Sequence, residues 1–169
     1  MIRRSLIRGF LLIACSAAGA DSRDAIFGRW ASDADTSILE VSETDGVLHA
    51  RIVAMLDPLY KPGEDGPVGT QRVDLHNPDA SLRARPLLGL DLVSQYQYKD
   101  GKWQGQLYDP ESGKTYKSQM TLGSDGKLQM RGYIGMPMLG RTAVWEPVST
   151  CSANVVKMLA MAKLDSGCG

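Results

Sequence analysis

The sequence predicts an all-β domain, an antiparallel up-and-down barrel of about eight strands followed by a C-terminal helix. Three observations predict it. Apolar residues alternate with polar ones at period two along successive runs, the signature of half-buried antiparallel strands. Asp100-Gly101, Ser112-Gly113 and Asp125-Gly126 sit about a dozen residues apart between those runs, and Asp45-Gly46 marks one more turn, the spacing of a hairpin meander. No crossover lengths of the kind a sandwich needs separate them. Strands are expected at 26–32, 37–43, 46–56, 89–98, 102–109, 114–122, 127–135 and 140–147. A set of this size commonly closes on itself and so removes its edges, enclosing side chains or one small ligand.

The chain has 169 residues, 43% hydrophobic and 22% charged, one domain of ordinary size with enough apolar content for a core. Residues 1–20, MIRRSLIRGFLLIACSAAGA, have the form of a secretory signal peptide. Arg3, Arg4 and Arg8 lead an apolar run, and Ala18-Gly19-Ala20 offers a cleavage site before Asp21. The rival reading is a lipobox at Leu12-Ile13-Ala14-Cys15, which would lipidate Cys15 and anchor the protein. Cleavage after Ala20 is favoured, because the lipobox leaves too short an apolar run. Either reading predicts export, to the periplasm or beyond.

Removal of 1–20 takes away three arginines and no acids. Sixteen basic and 19 acidic residues remain, a net charge of −3. That balance argues against a nucleic-acid partner. No other run has the apolar length of a membrane span.

The strands justify themselves in order. In VLHARIVAML (47–56) Leu48, Ala50, Ile52, Ala54 and Leu56 share a face. In KWQGQLY (102–108) Trp103, Gly105 and Leu107 do so. In KTYKSQMTL (114–122) Tyr116, Met120 and Leu122 fall together, and in KLQMRGYI (127–134) Leu128, Met130, Gly132 and Ile134. Met55, Met120, Met130, Met136 and Met138 lie in or beside strands. They either fill an ordinary core or line an adaptable apolar pocket.

Residues 57–86 break the pattern. A connection of that length is either functional or a sign of misassignment. Its first half is rich in Pro and Gly and reads as open loop. In its second half Asn77 is placed to cap a short helical turn, Pro78 to open it, Pro86 to end it, and Asp79 to pair with Arg83. The segment is long enough to fold over one end of the barrel as a lid.

The tail, 151–169, shifts to helical period. Ser152 can cap, and Val155, Met158, Leu159 and Ala162 line one face, so an amphipathic helix should pack on the outside of the barrel. Cys151 and Cys168 are the pair left after signal removal, a candidate disulfide in an oxidising compartment. A helix running to Asp165 would hold them too far apart, so the bridge requires the helix to end near Ala162 and the chain to double back.

No catalytic or nucleotide-binding motif is present: no G-x-S-x-G, H-E-x-x-H, C-x-x-C, P-loop or G-x-G-x-x-G. The chain is therefore not expected to be an enzyme, and no cofactor is expected. His49 reads as a bonded strand residue. His76 with Asp74, Asn77 and Asp79 matches no metal-ligand spacing, so no metal is expected. The acids of Tyr108-Asp109-Pro110-Glu111-Ser112-Gly113 read as a turn rather than a glycosidase pair.

Gly28-Arg29-Trp30, opening the first strand, resembles the lipocalin-like (calycin) pattern. In that pattern the Trp closes the barrel floor and a late basic residue, here Arg141, stacks across it as a cation–π contact. The ordered set GRW (28–30), LHARIVAMLDP (48–58), NPDASLRARPLLGL (77–90), KWQGQLYDPESGKTYKSQMTL (102–122) and MRGYIGMPMLGRTAVW (130–145) resembles a bacterial secreted family, the domain of unknown function numbered twenty-one forty-seven. The resemblance spans roughly 26–147 and implies a lipocalin-type barrel in domain 21–150, secreted or periplasmic. It implies no catalytic residue.

Two readings follow for the arginines of the lid. In one they are structural, Arg83 bonding Asp79 and Arg85 bonding backbone carbonyls. In the other, Arg85 with Arg131 or Tyr133, and with Arg83 and Tyr108 nearby, binds the carboxylate or phosphate head of a small amphipathic ligand whose apolar part enters the barrel. The expected function is thus an exported small-ligand-binding protein. The alternative is an envelope interaction module with a filled barrel, with a homodimer as one form. An enzyme ranks third.

Overall fold

The computed structural model describes residues 23–165, 167 and 168, so the expected signal peptide and the Cys15 lipobox lie outside the described residues. The strands are β1 (Gly28–Ser32), β2 (Ser37–Thr44), β3 (Val47–Met55), β4 (Val93–Lys99), β5 (Lys102–Asp109), β6 (Lys114–Leu122), β7 (Leu128–Tyr133) and β8 (Arg141–Pro147). They form a single antiparallel sheet in the order β3-β2-β1-β8-β7-β6-β5-β4. This is the up-and-down meander expected, rolled so that β1 meets β8.

The sheet closes at the β3–β4 seam through residues just before β4. The Ile52 amide donates to the Leu90 carbonyl at 3.1 Å, and the Leu92 amide to Ala50 at 2.9 Å. Asp91 holds the seam from outside. It accepts from the Ala50 amide at 3.0 Å, and Nδ1 of His49 lies 2.6 Å from its Oδ2. The expected strand 89–98 is therefore two pieces: 89–92 along β3, then β4 along β5.

The Asp-Gly turns form as their chemistry requires. Asp45 and Gly46 have φ of 52° and 77°, and Asp100 and Gly101 have 52° and 72°, the left-handed pair that suits the twist of a hairpin. A bulge in β4 leaves Gln95 at φ 57° and turns the Tyr96 ring into the barrel. Gly105 opposite makes room, since a Cβ there would lie 2.3 Å from that ring. The Tyr96 hydroxyl bonds Ser118, and burial pushes its phenol up to about 12 against that bond, so it stays neutral.

One end of the barrel is a closed floor. Ile26, Phe27, Trp30 and Trp103 pack there, with the Trp30 indole donating to the Ile26 carbonyl at 2.9 Å and Trp103 to the Arg23 carbonyl at 2.8 Å. The expected stack of Arg141 on Trp30 does not form. Trp30 pairs with Pro147, whereas Arg141 pairs with Gly132 at the other end of β8. Six residues of extended strand, about 20 Å, separate the two positions. The guanidinium over a floor indole belongs to Arg23, 4.8 Å from the ring centre of Trp103.

A second, smaller core lies outside the barrel. The helix α1 (Ala153–Met161) is capped by Ser152, whose hydroxyl accepts from the Val155 amide. It buries Val155, Met158 and Leu159 against Ala31, Ile38 and Ala54, the outward residues of β1–β3. It ends at Met161, and the chain doubles back through Lys163 at φ 55°. Cys151 and Cys168 are then bridged, with Cα atoms 5.8 Å apart.

Candidate functional site at the barrel mouth

The end opposite the floor is where function has room. Beside the β1–β2 turn at 33–36, three connections lie there: residues 57–92, the β5–β6 hairpin at 109–114 and the β7–β8 loop at 134–140. The first of the three is a strap pinned by its own bridges, Leu59 with Gln71 and Val73 with Pro86. Its helical turn is shorter than expected, a 3-10 turn at Ala80–Leu82. Asp79 caps it, accepting from the Ser81 amide at 2.9 Å, while the Asn77 side chain accepts from the Asp79 amide. Being the cap, the Asp79 carboxylate makes no ion pair with Arg83, which donates to the Asn77 carbonyl at 2.7 Å.

Asp74 anchors the strap. Its side chain is 0% exposed. Arg85 donates to Oδ2 through Nε at 2.8 Å and lies 2.7 Å away through Nη2. Asn77 Nδ2 donates to the same oxygen at 2.7 Å. The Tyr108 hydroxyl, from β5, donates to Oδ1 at 2.5 Å. Burial pushes the carboxyl up, but the Tyr108, Asn77 and Arg85 bonds outweigh it and hold Asp74 below the usual carboxylate range. Tyr108 is raised in turn, by burial and by that carboxylate. A buried charge of this kind is stable only when paired and fully bonded, and here it is.

Arg85 therefore meets a carboxylate, not backbone carbonyls and not the mouth. Arg131 is also engaged. It lies on the outer face of β7 and donates to the Pro137 carbonyl at 2.7 Å, Thr142 Oγ1 at 2.8 Å and the Met138 carbonyl at 3.2 Å, bracing the 134–140 loop. The expected ligand set is thus dispersed. Arg83, Arg85 and Arg131 point to protein partners, and only Tyr108 and Tyr133 of that set border the mouth cavity.

That cavity has a volume of about 690 Å³. Leu92, Leu107, Tyr116, Met130 and Trp145 line it, with Arg141 and Leu139 at its rim. Its size and apolar walls suit a small organic molecule. Of the methionines, Met130 lines it, Met120 is buried in the core, and Met136 and Met138 are exposed. Gly132 leaves space on the β7 wall, since a Cβ there would reach Tyr116 only at 3.5 Å.

Two residues stand on the β8 wall of the cavity that sequence reasoning did not put there: Arg141, expected at the floor, and Trp145, not singled out. Arg141, Ala143 and Trp145 alternate onto the inward face, opposite Gly132, Met130 and Leu128. The Trp145 Nε1 atom is buried and has no hydrogen-bond partner among the described residues. Arg141 has none either among the described residues. Arg141 lies where β8 outruns its neighbour: β1 pairs only with Trp145, Glu146 and Pro147, which leaves 141–144 as a free edge beside the cavity. Among the described residues no group of three His, Cys, Asp or Glu is placed to hold a metal ion.

Residues 28–147 match the family described as "Uncharacterized protein conserved in bacteria (DUF2147)". The chain belongs to this family. No curated protein matches it. Among solved structures it is similar to the Helicobacter pylori protein HP1028, described as belonging to the lipocalin family, with a TM-score of 0.54 and 23% identity over 76% of this chain and 80% of that one. At that identity the likeness concerns the fold: this member of the family is a lipocalin-like barrel, as its sequence resemblance implied.

Proposed function

We propose that this protein is an exported small-ligand-binding protein that takes an apolar or amphipathic molecule into the mouth of its barrel and performs no chemistry on it. One observation carries the reading: an open cavity of about 690 Å³ at the barrel mouth, walled by Leu92, Leu107, Tyr116, Met130 and Trp145. The lipocalin-like fold supports it, since barrels of eight strands have room for one small ligand. The character of residues 1–20 and the disulfide support export.

A second reading has its own observation. Ile134, Met138 and Leu139 are 75%, 78% and 76% exposed beside the free edge of β8, an apolar surface of the kind a protein partner or a second copy covers.

Native mass spectrometry of protein purified from a periplasm, before and after mild denaturation, separates the two. A small molecule lost on unfolding supports the binding protein. A clean apo mass with a dimer moves the weight to the interaction module. The same spectrum reports cleavage after Ala20 or lipid on Cys15.

A further inference from the structure

We infer that the mouth cavity selects anionic amphiphiles and that Arg141 holds their head group; the inference rests on the reading of the cavity as a ligand site. Arg141 is distinguished by what its guanidinium lacks. Every other arginine among the described residues has a partner in the protein. For example, Arg29 pairs with Glu40, Arg51 with Asp91, Arg72 with Glu64, and Arg85 with Asp74. Arg83 and Arg131 donate to carbonyls. Arg141 alone of them has no hydrogen bond, ion pair or ring contact, and it stands at the rim of the cavity.

Its position is set by the strand. Pairing with Gly132 puts it on the inward face, and the missing side chain at Gly132 leaves the guanidinium free to turn over the opening. From Arg141 the wall runs through Ala143 to Trp145, about 13 Å of extended chain. Met130 on the neighbouring β7 and Leu107 on β5 line the cavity with that run. A molecule with its charge at the rim would thus lay an apolar body along the wall toward Trp145.

The acids nearby do not compete for the cation or favour a cationic head. Asp109, which also borders the cavity, accepts from the Glu111 amide at 3.0 Å and the Ser112 hydroxyl at 2.6 Å and stands opposite Lys114 in the ladder. Asp74 is sealed behind Tyr108. A planar guanidinium binds a carboxylate or a phosphoryl group by paired N–H donors, so the head belongs to one of these two anions.

The test is calorimetric titration of the full protein, below micellar concentration, with dodecanoate, dodecyl phosphate, dodecanol and dodecyltrimethylammonium. The expected result is that at least one anion binds about tenfold or more tightly than dodecanol, and that the cation binds worst. Arg141→Gln should lower the anions to the level of dodecanol while leaving dodecanol unchanged, and Arg141→Lys should restore part of the preference. Whichever anion ranks first names the head as carboxylate or phosphoryl. If dodecanol equals the anions, or Arg141→Gln keeps their advantage, Arg141 is not the head-group site and the cavity remains an apolar one. If none of the four binds, the ligand-site reading itself falls.

Discussion

Tyr108 on β5 donates to Asp74 on the strap across 34 positions of sequence, at 2.5 Å, and this bond ties the long mouth connection to the barrel wall. Asp74→Ala removes a buried charge together with the partner of Arg85, Asn77 and Tyr108. It should cost about 3 kcal/mol or more in urea unfolding, the range for breaking a buried ionic network. Tyr108→Phe removes one bond to the same charge and should cost about 1.5 kcal/mol. Equal, small losses for both would show that the network does not hold the strap.

The same network sets an acid limit. Because the folded pKa of Asp74 lies below its unfolded value of about 3.9, its contribution is fully present above that value and is lost as pH falls through the lower folded one. Stability should therefore drop from about pH 4 downward, and Asp74→Asn should flatten that part of the profile. Urea midpoints measured across the acid range, wild type against variant, check it.

Reduction of Cys151–Cys168 releases the turn that follows α1. The chain-entropy estimate for a loop of this length is about 3 kcal/mol. The helix packs on the outside of β1–β3, in a core separate from that of the barrel. Cys151→Ser with Cys168→Ser should accordingly lower the melting temperature and speed amide exchange in 153–161. Exchange in β5–β7 should change little at temperatures well below the melt.

Two glycines on inward faces should respond in opposite ways. Gly105→Ala drives a methyl into the Tyr96 ring and toward the Ser94 carbonyl, 2.8 Å away, so it should destabilise by about 1–3 kcal/mol. At Gly132 a Cβ meets Tyr116 and Leu107 only at ordinary contact distance, and the two further methyls of Gly132→Val extend into the cavity that Gly132 borders. This variant should fold with near wild-type stability and lose dodecanoate binding by calorimetry. Undiminished binding in Gly132→Val would place the ligand elsewhere.

The strands were legible because their causes are local. Alternation at period two and Asp-Gly turns act within a few residues, and the boundaries of β5 and β6 coincide with those expected, 102–109 and 114–122. The end of α1 was legible too, since the reach of three residues after a longer helix could not close a disulfide. The seam was not. Nothing local says that 89–92 should lie on β3 before the chain bends into β4, and the bulge at Gln95 carries no Gly to announce it.

The sequence by itself determined the barrel, the tail helix and the family and made Cys151–Cys168 a candidate bridge, because periodicity, turn chemistry, cysteine count and ordered motifs are all written along the chain. The tertiary structure alone decided which arginine is available. Arg85 and Arg131 looked like head-group ligands and are spent on Asp74 and on the 134–140 loop, while Arg141, expected to cap the floor, stands at the mouth. A guanidinium's role depends on which acceptor closure of the barrel brings within 3 Å of it. That acceptor comes from another strand or loop, so no local pattern encodes it.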